Sequence, residues 1–212
     1  MKQADIEVTY IDHMGSDLSV VNAARVSFHK VSEEFKAGDE KLINYLAKHK
    51  HFSPFNHSFL SFRIKAPIFV ARQLVKHRFM PWNEVSRRYV DDEPEFYVPQ
   101  LRKRAENVKQ GSSEEVMGEE WKQAGIEHTK NMLAYYTAAV DAGMAPEVAR
   151  AFLPASMMTE WIWSGSLGAY CDMLRLRLDP HTQYESRIVA QKIYEQMEPL
   201  FPVSVKALLN VE

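Results

Sequence analysis

The chain has 212 residues, 46% hydrophobic and 25% charged, which is enough to bury a sizeable core and unlike the composition of a disordered chain. Its 26 basic and 28 acidic residues leave a net charge of −2, without the global positive field of a duplex nucleic-acid binder. A single cysteine, Cys171, excludes an intramolecular disulfide framework and a Cys-only zinc cage. No run approaches the ~20 apolar residues of a membrane span, and the N-terminus lacks an apolar signal core. The expectation is a cytoplasmic protein with neither membrane nor nucleic-acid partner.

Residues 6–12 fit a short edge or core strand. Ser16 is placed to cap a helix whose apolar positions Leu18, Val21, Ala24 and Phe28 follow helical spacing. A second helix fits Asp39–Lys50 around Leu42, Ile43, Leu46 and Ala47. After the proline-broken loop 51–57, Leu60, Phe62 and Ile64 alternate with Phe59, Ser61 and Arg63, the period of a strand with one buried face. Pro67 suits the first turn of a helix predicted to reach Arg78, buried along Ile68, Ala71, Leu74 and Val75, before Pro81 breaks the chain. The acidic stretches 91–95 and 111–120 read as surface, and the span 97–110 has no clear period. A long helix is predicted over Glu119–Ala142, with Trp121, Ile126, Met132, Leu133 and Tyr136 available to pack, then a shorter one over Pro146–Leu153. Residues 157–165 fit a strand with Trp161 and Trp163 on one face, and helices fit 166–178, 181–198 and 202–210. The pattern is α+β: a small mixed or antiparallel sheet flanked by helices, helix-rich in its C-terminal half, as a single domain over residues 1–212.

The densest chemical signal is 72–88. Arg72, Lys76, Arg78, Arg87 and Arg88 stand there against one acid, Glu84. A helix would put Gln73, Lys76 and His77 on one face, and an extended chain would put Ser86 and Arg88 on one side. A hydroxyl and a guanidinium beside such a cluster can hold a phosphate through charge-assisted, bidentate hydrogen bonds. A solvated basic segment paired with the acids of 91–95 is the competing reading.

Lys76-His77-Arg78, seven residues, then Ser86, with Arg88 two further on, resembles the signature of the flavin-dependent thymidylate synthases, with lysine in place of the first arginine. Residues 9–17, 23–28, 51–73, 149–154 and 174–185 are similar to further blocks of that family, in family order. The resemblance implies FAD-dependent methylation of dUMP to dTMP, with methylenetetrahydrofolate as one-carbon donor and a reduced nicotinamide, NADPH, as reductant. It also implies a homotetramer with sites at subunit interfaces. His51, Ser53, Lys76, His77 and Arg78 match flavin positions, Lys76 also lying near the nucleotide, and Glu84 matches the flavin–dUMP junction. Gln73, Ser86, Arg88 and Arg150 match positions that grip dUMP, mostly through its phosphate, with Arg87 in the same loop. Arg177 matches the arginine that binds the uracil and favours its ionised ring. Ser166 and Asp172 occupy flavin-contacting positions with altered chemistry; Gly168 has no side chain to offer, Pro81 replaces a common serine, and Asn56 a common acid.

Cys171 lies on the apolar stripe Leu167, Tyr170, Leu174, Leu178 and reads as core filling, not as a nucleophile. His49, His51 and His57 cluster without a metal-ligand spacing. Two alternatives stand beside the flavoenzyme. One is a non-catalytic nucleotide or single-strand binder stacking bases on Trp82, Tyr89, Phe96 and Tyr97; the other is a metal hydrolase around His51 and His57.

Overall fold

The strongest period-2 segment forms the centre of the protein. In a computed structural model describing residues 1–90, 92–106 and 111–210, β3 (Phe59–Pro67) buries Leu60, Phe62, Ile64 and Ala66. In chain order the elements before it are β1 (Lys2–Gln3), β2 (Glu7–Met14), α1 (Asp17–Arg25) and α2 (Ala37–Lys48). After it come α3 (Ile68–Leu74), β4 (Trp82–Glu84), β5 (Glu95–Phe96), β6 (Arg102–Arg104), β7 (Ser112–Val116), α4 (Glu119–Asp141) and α5 (Pro146–Ala149). The chain ends with β8 (Met158–Ser166), α6 (Leu167–Arg177), α7 (Tyr184–Met197) and α8 (Pro202–Leu209).

The main sheet runs β2-β3-β8-β4 and is antiparallel throughout; β1 pairs β5 in parallel, and β6 with β7 makes a separate hairpin. Register sets Phe62 opposite Trp163 and Ile64 opposite Trp161, so the large side chains of both central strands share one face. Helices close over that face, α6 contributing Leu167, Tyr170, Cys171 and Leu174, and α7 contributing Val189, Ala190 and Ile193. The opposite face carries the polar partners of the alternation, with Ser61 and Ser164 hydrogen-bonded at 2.8 Å and Arg63 paired to Glu160 at 3.6 Å. At the β2–α1 turn, Gly15 takes φ +92°, and a Cβ there would meet Ser58 Oγ at 2.6 Å, so only glycine fits. Asp17 is buried because its carboxylate accepts the Val203 and Ser204 N–H groups (2.9 and 3.0 Å), capping α8 from α1.

Four expectations are corrected. α3 stops at Leu74, not Arg78, leaving Val75 41% exposed, because residues 75–81 must return the chain to β4 at the sheet edge. The helix after Ser16 ends at Arg25, and Phe28, in the following 3-10 turn, is exposed instead of continuing the buried stripe. The aperiodic and acidic stretches contain the β6–β7 hairpin, a pairing that periodicity within one strand cannot reveal; Asp91 and residues 107–110 lie outside the described residues. α4 forms as predicted, yet it buries only Tyr136, while Trp121 stays 58% exposed. Among the described residues, no helix is long and apolar enough to cross a membrane.

Candidate active site

The turn after α3 spreads Lys76, His77 and Arg78 around a reversal instead of along a helical face. The His77 N–H bonds Leu74 O at 3.1 Å, and Phe79 adopts φ +61°, a left-handed conformation that costs a bulky residue energy. Buried Met80, packed against Gly165, anchors the far side of this turn to β8.

On one side of α3, Phe69, Gln73 and Lys76 line a cavity of about 1130 Å³. Its other walls are residues 99–102 and 111–112, the end of α6 from Arg175 to Arg177, and the loop entering α7. Lys76, Arg102, Arg175 and Arg177 outnumber Asp179 and Glu185 there, which suits an anionic ligand. Arg177 is half-buried: its Nε donates to His77 Nε2 at 2.9 Å and its Nη2 to the Gln73 carbonyl at 3.1 Å, leaving three N–H groups for a ligand. Accepting from Arg177 requires a lone pair on His77 Nε2, so the ring proton sits on Nδ1. Burial, and then the neighbouring Arg177 charge, push His77 down to about 4, keeping it a neutral acceptor at physiological pH.

A pH dependence follows. A histidine depressed from 6.5 to about 4 on folding contributes stability that is fully present above pH 6.5 and lost as pH falls toward 4. Urea midpoints measured from pH 7 to 4 should fall more steeply for the native chain than for His77→Asn. Parallel curves would disprove the linkage.

On the other side of α3, Ile68 and Arg72 face a second cavity, of about 850 Å³, which Glu84, Arg87 and Arg150 also line. Both Glu84 oxygens are held, Oε1 accepting from Thr159 Oγ1 (2.7 Å) and Oε2 from Trp82 Nε1 (3.0 Å). Residues 86–89 form a turn, not the extended strand needed to align Ser86 with Arg88. Ser86 O accepts from Tyr89 N, and its Oγ accepts from Arg88 N. Arg88 pairs with Glu147 at 3.3 Å, Arg150 Nε donates to the Glu147 carbonyl at 3.3 Å, and Arg87 bonds Asp92. The competing reading of an acid-paired basic segment thus describes Arg87. Gln73, Lys76 and Arg177 line one cavity, while Arg87 and Arg150 line the other.

The remaining candidates form a third group. His51 follows α2 with its ring 6.1 Å from Tyr45, and the exposed Ser53 opens a 3-10 turn that buries Pro54 and Phe55. Ser166 caps α6, accepting from Ala169 N at 3.2 Å and donating to Asn56 Oδ1 at 2.7 Å. A Cβ at Gly168 would lie 2.6 Å from that same Asn56 oxygen, so Asn56 fills the space beside the helix start. Asp172 is exposed and pairs with Arg175 at 3.4 Å. Ser166 and Arg177 stand at opposite ends of α6, ~16 Å apart at 1.5 Å per residue.

Cys171 is fully buried, and burial raises its thiol pKa far above the usual range, which removes it as a nucleophile. Cys171→Ala should keep the methylation that the resemblance implies, while costing about 1–2 kcal/mol in urea unfolding. A folded but inactive variant would refute the inert-core assignment. Among the described residues, no group of three or more His, Cys, Asp or Glu is placed to hold a metal. Sequence reasoning missed Arg102, Gln183 and Glu185, which reach the first cavity; the last two lie in the same block as Arg177, but their role depends on partners far along the chain.

A family model described as Thymidylate synthase complementing protein matches residues 9–203. A flavin-dependent thymidylate synthase of Wolbachia pipientis is 36% identical over 209 residues, covering 96% of this chain and 73% of the relative. One from Kosmotoga olearia is 37% identical over 207 residues, covering 96% and 90%. Among solved structures, the UMP/dUMP methylase PolB from Streptomyces cacaoi, bound with 5-Br dUMP, superposes with a TM-score of 0.89 at 31% identity, covering 100% of this chain and 98% of that one.

Proposed function

Because the chain belongs to the flavin-dependent thymidylate synthase family, we propose that it methylates dUMP to dTMP with FAD as its flavin, methylenetetrahydrofolate as one-carbon donor and NADPH as reductant. The observation that carries this reading is Arg177, half-buried at a cation-rich cavity and held by a neutral His77.

Arg177 takes the pyrimidine with Gln73. Its guanidinium stays protonated at working pH and stabilises the negative charge that grows on the uracil ring as its carbon attacks the one-carbon unit. His77, by accepting the Arg177 Nε–H, aims the remaining N–H groups without adding charge. Ser86, Arg87, Arg88 and Arg150 take the phosphate, which displaces Asp92 from Arg87 and Glu147 from Arg88. Glu84, fixed by Thr159 and Trp82, stands between nucleotide and flavin.

The residues fit a flavin dinucleotide. Among the described residues, Lys76 and Arg78 have no ion-pair partner and can meet a diphosphate, while His51 and Ser53 are exposed to receive it. His77, Ser166 and Asp172 complete the set. When bound, the flavin supplies the hydride that completes the methyl group. Since Gln73 and Arg177 line one cavity and Arg87 and Arg150 another, a single nucleotide draws on two copies, in a homotetramer whose interfaces cover the exposed length of α4.

The test is dTMP formation from purified protein, dependent on FAD and NADPH. UMP should be assayed beside dUMP, because PolB is named for both. A preparation that neither takes up FAD nor methylates dUMP would overturn the proposal.

A further inference from the structure

The side-chain amide of Gln73 is held at both ends. Its Nε2 donates to Gln183 Oε1, and its Oε1 accepts from Ser186 Oγ at 3.1 Å. Gln183 in turn donates from Nε2 to Glu185 Oε2 at 3.1 Å. Glu185 is 3% exposed and lies 3.6 Å from Arg102, whose side chain is 9% exposed. The Arg102 guanidinium sits 4.1 Å above the Tyr184 ring, and its Nε donates to Ser112 Oγ at 2.9 Å, tying the β6–β7 hairpin into the same network.

The network has a direction. An arginine only donates, and a carboxylate facing it only accepts. Gln183 must therefore turn its amino end to Glu185 and its oxygen to Gln73. Gln73 must answer with its amino end, which leaves its oxygen for Ser186. A buried carboxylate two residues away in the network thus decides which end of the Gln73 amide donates.

We propose that Glu185, acting through Gln183, is a positioning residue that selects uracil over cytosine by fixing the polarity of the Gln73 amide. The inference rests on the reading that Gln73 faces the pyrimidine. Uracil presents N3–H beside the O4 acceptor, and cytosine presents the N3 acceptor beside an N4 amino group. An amide pairing with that edge must be flipped to exchange one base for the other. With the flip forbidden, cytosine meets donor against donor and acceptor against acceptor.

The test compares equilibrium binding of dUMP and dCMP to the FAD-loaded enzyme, with kcat and KM for dUMP alongside. Glu185→Gln can donate or accept toward Gln183, so it frees the flip, and the preference for dUMP over dCMP should fall by about 10- to 100-fold, the usual worth of one bidentate base contact. Gln183→Ala interrupts the relay in an exposed loop while leaving Arg102 and Glu185 paired; it should narrow the preference in the same way if Glu185→Gln fails to fold. In both, KM for dUMP should rise more than kcat falls. If both folded variants keep the native dUMP-to-dCMP ratio while Gln73→Ala loses dUMP binding, the relay is wrong and the site reading stands. If Gln73→Ala binds dUMP as well as the native enzyme, the placement of Gln73 itself fails, and the proposal with it.

Discussion

Arg177→Ala should lower kcat for dTMP formation by a factor on the order of 10²–10³, the cost of removing one donor from an anion-stabilising site. In the proposed mechanism the charge it opposes grows during reaction, so saturating dUMP should not rescue the variant. Its removal also frees His77 Nε2 and the Gln73 carbonyl, whose two hydrogen bonds it makes. On the proposed mechanism, flavin reduction by the nicotinamide involves no charge on the pyrimidine, so that half-reaction should survive in FAD-loaded Arg177→Ala. Stopped-flow bleaching of the flavin measured beside a dTMP assay separates the steps. Native-speed dTMP formation at saturating dUMP would remove Arg177 from its role.

The second large effect concerns assembly. Arg150→Ala should mainly raise the dUMP KM, by the equivalent of about 2–4 kcal/mol if binding buries the phosphate against this exposed cation. Arg150 and Arg177 line different cavities of one chain, on either side of α3. Co-expressing Arg177→Ala with Arg150→Ala should therefore produce hybrid sites in which both arginines are native. For random pairing of two contributing copies, about a quarter of the sites recover. At dUMP concentrations well below the Arg150→Ala KM, the mixed enzyme should greatly exceed the sum of its parents. Activity no higher than that sum would mean that each site is built from one chain.

The family itself was legible because its motifs are local strings: Lys76-His77-Arg78 with Ser86 and Arg88, and the ordered blocks around them. The antiparallel core was legible for a different reason. Burial on one face of β3 forces a period of two, and paired tryptophans two residues apart on β8 do the same. Helix existence was readable as well, but not all the ends. α3 stops at Leu74 because the chain must return to the sheet edge, a requirement set by β8 and invisible in the apolar spacing.

Composition, motif order and periodicity determined the family, the α+β class and an inert Cys171. Each depends on residues near one another in sequence, or on burial that imprints a period. Only the tertiary structure decided that the signature bends through a left-handed Phe79, that Arg177 is held by His77, and that α3 separates the two groups of proposed nucleotide-binding residues. It alone revealed Glu185, whose partners Arg102 and Gln183 reach it from a hairpin and a loop. Such contacts join residues up to 113 positions apart, and hydrogen-bond geometry between distant side chains leaves no repeat in a sequence to read.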